Sequence, residues 1–179
     1  MDSSKVYFLC GATVALIVRD PVQFGSPGLA VGLIGHEGAA CLQKALGLGS
    51  GVLSQQVQTS GSAWAMDGKA LAKATRNDVH MLLTFGRYLW RVSQEVANMA
   101  AFSQRQEVHQ RLAAWIVLSA VRSGTVELNL THAHLADMLG VRRASITDAA
   151  LFLKDLALID YQRGQIQILS LEGLKAATQ

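Results

Sequence analysis

The residues with the most chemical potential lie at 130–150, LTHAHLADMLGVRRASITDAA. Two adjacent guanidinium groups, Arg142 and Arg143, stand just past Gly140. Their chemistry is recognition. A guanidinium can fork onto a phosphate, or onto the O6 and N7 atoms of guanine. Arg143 is the first candidate for reading a base; as a plain surface arginine it would only face water. Arg142, Ser145 and Thr147 are candidates for phosphate contacts, which set register without reading sequence. Ala144 can touch a thymine methyl. Asp148 can accept from cytosine N4, orient Arg143, or repel phosphate and so sharpen selectivity. Thr131 can offer its hydroxyl, or a neighbouring N–H, to a phosphate.

These groups need two short helices and a tight turn to bring them together. Thr131 is placed to cap the first helix, with Leu130 and Leu135 as a hydrophobic staple around it. Apolar residues recur at Leu135, Met138, Leu139 and Ile146, and Ala136 is small where the helices must approach. Gly140 supplies the left-handed conformation that ends the first helix. On the second helix, Ile146, Ala150 and Leu153 are expected to face the core. Arg143, Ala144, Thr147 and Asp148 then fall on or near the other face. Two short strands, 158–161 and 165–169, flank Arg163-Gly164 as a hairpin. Ser170 and Glu172 can start a final helical turn. A helix-turn-helix followed by a β-hairpin is a winged helix. Arg163, at the wing tip, can meet backbone phosphate or simply face solvent.

Upstream, Asn77 or Asp78 can cap a long helix running to about Phe102. Its apolar positions, among them Leu82, Leu89, Val92, Val96 and Met99, recur at helical spacing. Small residues, including Gly86, Ser93, Ala97 and Ala100, lie beside them. Two readings stand level: a core-facing stripe, or a dimer seam through Leu82, Gly86, Leu89, Ser93, Val96 and Ala100. A short helix is expected at 68–74 and another at 107–122, followed by a strand at 126–130. Residues 1 to about 67 are rich in glycine and β-branched residues. Strands are expected at 6–9, 13–19, 29–34, 55–59 and 62–66, with a helical turn at 39–46. Pro21, Pro27, Gly35, Gly38, Gly47, Gly49, Gly51 and Gly61 punctuate this stretch.

Composition sets the outer limits. Half of the 179 residues are hydrophobic and 16% are charged, which is a packed globular chain. The net charge is +3, and from Arg105 onward eight Lys and Arg face seven Asp and Glu. Affinity for DNA must therefore come from placement and not from bulk charge. Cys10 and Cys41 read as buried, reduced thiols, and two cysteines cannot complete a four-ligand metal or iron–sulfur site. His132 and His134 point about 200° apart on a helix, the wrong geometry for one metal ion. His36-Glu37 reads as part of a glycine turn. Trp64, Trp90 and Trp115 read as core or interface residues. No nucleophile elbow, phosphate loop or dinucleotide fingerprint occurs, so nothing points to an enzyme. The apolar run 6–18 is too short to span a membrane and lacks a cleavage pattern. Cytoplasm is the default compartment.

The segments LTHAHLADMLGVRRASITDAA and LALIDYQRGQIQILSLEGL resemble the Crp/Fnr family of bacterial transcription regulators. VYFL and VGLIGHEGAA resemble the tail of that family's cyclic-nucleotide-binding-type β-roll. The resemblance extends from Val6 to about Ala176. It implies an α+β chain with a partial β-roll at 1–76, a long dimerisation helix at 77–104 and a winged helix-turn-helix at 105–179. It implies a homodimer held by the long helix, reading palindromic double-stranded DNA, with RNA polymerase as a further partner. The sequence departs from the family in three respects. By comparison with a typical sensor domain about 40 to 50 residues would be missing at the front, and the expectation is either an incomplete β-roll or an N-terminally truncated reading frame. Gly35-His36-Glu37 echoes the family's glycine-glutamate pair, but 51–56, GVLSQQ, lacks the arginine that would hold a cyclic phosphate. The cysteine cluster of the oxygen-sensing branch is absent, and no haem-ligand motif stands out. The expectation is a sequence-specific regulator with no cofactor and an effector other than a cyclic nucleotide. The alternative is a winged-helix interaction or dimerisation module that no longer reads DNA.

Overall fold

The apolar run after Lys5 folds as two strands, β1 (Lys5–Cys10) and β2 (Thr13–Val18), in the computed structural model. The structure describes residues 2, 4–19, 28–44, 46–48 and 51–179. β2 is buried along almost its whole length, as suits a central strand. It pairs antiparallel with β3 (Leu29–Ile34) on one side and β5 (Leu53–Thr59) on the other. β1 lies between β4 (Ala39–Ala40) and β6 (Ser62–Asp67), with Phe8 opposite Trp64. Leu9 and Ala40 from one sheet share an apolar cluster with Val14, Leu16, Val31 and Ile34 from the other.

The five expected strands are present with small shifts at their ends. The helical turn expected at 39–46 is instead β4 followed by a single 3-10 turn, Leu42–Lys44. Ala39 and Ala40 are drawn into the sheet because they pair with Phe8 and Tyr7. Pro21, Pro27, Gly49 and Ala45 lie outside the described residues. Cys41 is buried as expected, but Cys10 is exposed, because it ends β1 at the sheet margin.

Asp67 accepts from the Ala70 N–H and starts α1 (Gly68–Arg76). Asp78 accepts from the Met81 N–H and starts α2 (Val79–Arg105), a rod about 40 Å long. One side of α2 serves the chain's own core. Phe85, Tyr88 and Leu89 pack around Val6, Leu42 and Leu71, and Val92 and Val96 pack against the strand cluster. Among the expected seam residues, Leu82, Gly86, Ser93 and Ala100 are exposed, whereas Leu89 and Val96 are half-buried against the sheets. A strict seven-residue step drifts by about 20° per heptad on a straight helix, which rotates the latter two inward. Trp90 and Ala97 stand exposed on α2 alongside the outward four.

After α2 come α3 (Val108–Ser123), β7 (Glu127–Leu128), α4 (His132–Leu139), α5 (Arg143–Asp155), β8 (Ile159–Gln162), β9 (Gln165–Ile168) and α6 (Leu171–Ala176). The Glu107 N–H donates to the Gln110 side chain at the start of α3, and Gly124 ends it at φ 72°. β7 is shorter than the strand expected at 126–130, because the chain turns at Leu128–Leu130 to enter the Thr131 cap. Order β7-β9-β8 makes a small antiparallel sheet.

The largest apolar cluster crosses the boundary between the two halves of the chain. Ala15, Ile17, Ala30 and Leu33 of the strands join Leu112, Trp115, Leu135, Ile146 and Leu153 of the helices. Trp115 is the one tryptophan in the core; Trp64 and Trp90 are exposed. The Trp115 indole N–H donates to Gln58 Oε1 at 3.1 Å, and Gln58 Nε2 donates to Ser119 Oγ at 3.1 Å. One side chain of β5 thereby holds two positions of α3.

Candidate nucleic-acid interface

Thr131 caps α4 as its position predicts: its hydroxyl accepts from the His134 N–H at 3.1 Å. Leu130 and Leu135 are both buried in the large cluster. Gly140 takes φ 64°, and the Val141 N–H returns to the Ala136 carbonyl at 3.1 Å. The chain re-enters helix at once. Arg142 is the N-cap of α5 and Arg143 its first residue, with no acidic side chain in the first turn. Unpaired N–H groups and two guanidiniums therefore gather at one helix start, which favours anions.

Ile146, Ala149, Ala150 and Leu153 bury the inner face of α5 against the core. Arg142, Arg143, Ala144 and Asp148 are exposed, and Ser145 and Thr147 are half-buried. Asp148 forms no ion pair among the described residues, so the pairing with Arg143 considered above is not made. Thr147 is committed within the fold: its hydroxyl lies 3.0 Å from His132 Nδ1 and bonds the Arg143 carbonyl at 3.2 Å.

The wing closes the surface. Gln162 pairs with Gln165 across a two-residue turn in which Arg163 and Gly164 have φ 50° and 86°. A Cβ on Gly164 would sit 3.1 Å from Thr131 Cγ2, so the wing tip lies against the cap of α4. The His132 ring stacks on Tyr161 with centroids 4.1 Å apart and planes 21° from parallel. α4, α5 and the wing thus meet at one histidine, and Thr131, Arg143 and Arg163 are drawn to one side of the domain. Burial, and then the Arg143 charge, push the His132 pKa below its ordinary value. Lys154 is taken by Asp160 at 2.7 Å at the base of the wing.

Four residues to which the sequence assigned no role in this unit hold it in place. His132 and Tyr161 couple helix to wing, and no local spacing signals a contact between elements so far apart. Arg111 of α3 donates to the carbonyl of Leu139, the last residue of α4. Arg122, near the end of α3, meets Glu37 at 2.9 Å and Glu95 at 2.6 Å. His36 Nδ1 lies 3.1 Å from the Arg122 carbonyl, which docks the turn after β3 onto the end of α3. Among the described residues no group of three or more His, Cys, Asp or Glu could hold a metal ion.

Residues 110–177 match the family model for the Crp-like helix-turn-helix domain. Among curated proteins no relative matches. The chain is similar in structure to a Crp-family transcriptional regulator of Thermus thermophilus, with TM-score 0.74 at 17% identity over 99% of this chain and 89% of that one. A second Thermus thermophilus regulator, of the Crp/Fnr family, gives TM-score 0.73 at 22% identity, over 97% and 87%. FixK2 from Bradyrhizobium japonicum gives 0.66 at 17%, over 99% and 88%. At these identities the likeness shows the fold: strands in front, a long helix, and a helix-turn-helix with a small β wing.

Proposed function

From the premise that the chain belongs, through residues 110–177, to the Crp-like helix-turn-helix family of DNA-binding transcription regulators, we propose that it reads a palindromic site as a homodimer. The observation that carries the reading is the exposed Arg142-Arg143 pair at the start of α5, beside the Thr131 cap and the Arg163 wing tip. In this reading α5 enters the major groove, and Arg143 donates both arms to guanine O6 and N7. Arg142, Ser145 and Thr131 hold phosphates, and Arg163 holds the backbone beside the groove. Ala144 meets a thymine methyl and Asp148 a cytosine N4. Thr147, bonded to His132 and to the Arg143 carbonyl, holds the first turn of α5 to the start of α4.

The exposed side of α2, with Leu82, Gly86, Ser93 and Ala100, brings two copies together. Cytoplasm, where such a site is found, is the proposed compartment, and among the described residues no helix is long and apolar enough to cross a membrane. RNA polymerase is the proposed further partner. An effector other than a cyclic nucleotide is favoured by the use made of Glu37. Its carboxylate accepts from the Gly35 N–H at 3.1 Å and pairs with Arg122. It is not held out for a ribose.

The test is binding to a panel of duplexes at several salt concentrations, followed by fluorescence anisotropy. Wild type should show sequence preference, and Arg143→Ala should lose about 1–3 kcal/mol at guanine-bearing sites only. A protein that dimerises but binds no duplex at low salt would overturn the reading in favour of an interaction module.

A further inference from the structure

A cavity of about 320 Å³ lies between β3, the second half of α2, α3 and the end of α4. That is the size of a small-molecule site. Its walls are mainly carbon, from Leu29, Met99, Phe102, Ala114, Trp115 and Leu118. α3 lines it from Arg111 to Arg122, eleven positions and about 16 Å along the axis. The two arginines are not equivalent. Arg122 is neutralised by the carboxylates of Glu95 and Glu37. Arg111 has no carboxylate partner among the described residues, and its recorded bond is to the Leu139 carbonyl. Partial burial pulls its pKa below the usual arginine value.

We propose that this cavity binds a small amphipathic monocarboxylate, its head on Arg111 and its apolar body along Trp115, Leu118 and Met99. A guanidinium has five N–H donors, so Arg111 can keep Leu139 and still present a fork to a carboxylate. The far end carries Glu95, whose negative charge disfavours an anion there and sets the ligand's direction. The occupied face of α2 is the one with Glu95, Asn98, Met99 and Phe102, away from the exposed Gly86, Ser93 and Ala97. Dimerisation through the latter leaves the cavity open. β3 and α2 wall one side, and α3 and the last residue of α4 wall the other. An occupant therefore bridges the strands and the reading unit. Binding itself is independent of DNA; only its effect on DNA reading rests on the function proposed above.

The test uses the full chain without DNA and decanoate as the probe, with decanol and decylamine as controls, by titration calorimetry and Trp115 fluorescence. Decanoate should bind once per chain, at least about tenfold more tightly than decanol or decylamine. Arg111→Gln should weaken decanoate about tenfold and leave decanol unchanged. Ala114→Phe, which fills the cavity, should abolish both. Equal binding of decanoate and decanol, decanoate binding that survives Ala114→Phe, or no binding up to millimolar decanoate would each overturn the proposal. The comparison of the three probes on wild type decides the matter even if Arg111→Gln, which loses the Leu139 bond, fails to fold. Decanoate binding by a protein that ignores DNA would sink the DNA reading and leave this site standing.

Discussion

The guanidinium of Arg122, near the end of α3, meets the carboxylate of Glu37, in the turn after β3, at 2.9 Å, and the same guanidinium holds Glu95 of α2. One cation therefore ties the strands, the long helix and the winged helix at a single point. A Cβ on Gly35 would come within 2.3 Å of the Arg122 carbonyl oxygen, so the turn can approach only because that residue is glycine. Arg122→Ala leaves the partly buried Glu37 and Glu95 carboxylates without their shared cation. It should cost about 2–3 kcal/mol in urea denaturation, below the range for a fully buried pair because Glu95 is more than a third exposed. Glu37→Gln should destabilise wild type but restore stability in the Arg122→Ala background. A second mutation that adds further loss in that background would refute the pairing.

Arg163 sits at φ 50°, where an L-residue with a long side chain is strained and asparagine or glycine is not. Nothing in the domain's own packing asks for arginine at that exposed tip. Arg163→Asn should leave thermal stability unchanged or raise it by about 0.5–1 kcal/mol. The same change should lower affinity for every duplex alike and reduce the salt slope by about one. Loss of stability together with unchanged DNA binding would assign Arg163 a structural role.

Much of this arrangement is legible in the sequence, and what is not shares one cause. Thr131, Gly140 and Ser170 act on backbone within a few residues of themselves, so their local patterns predict the caps the structure contains. The strands at the front follow β-branched runs and glycine breaks. Contacts between distant elements leave no such trace. Arg122 lies 85 positions from Glu37, and His132 lies 29 from Tyr161. Leu89 and Val96 fall with the seam on spacing alone, because spacing does not say how far a straight helix turns over two heptads.

His132 offers a test by pH. Its folded pKa is depressed by burial and by Arg143, while the unfolded value is the ordinary 6.5. Below about pH 6.5 the unfolded chain takes up a proton that the folded domain resists. Stability contributed by the neutral ring is therefore complete above that pH and falls as pH drops toward the folded pKa. Denaturation midpoints between pH 7.5 and 5 should decline for wild type and decline less for His132→Gln. Identical slopes would show that the stacked ring is not the group being titrated.

Gly86 is the residue of α2 that the chain's own fold explains least. A glycine inside a helix costs about 1 kcal/mol relative to alanine. Yet a Cβ placed there would meet nothing within 4 Å in the same chain. The residues near it on the outside of α2 are either large and apolar, as Leu82, Leu83 and Trp90, or small, as Ser93, Ala97 and Ala100. A second α2 packed on this surface would supply both the apolar burial and the reason for small side chains. Ala97→Glu puts a charge at its centre without touching the subunit core. By light scattering wild type should have twice the 19.2 kDa chain mass, and Ala97→Glu the single mass with unchanged helicity. The variant should bind a single half-site as well as wild type does, and lose its advantage on the full palindrome. A dimer that persists in Ala97→Glu would place the subunit contact elsewhere.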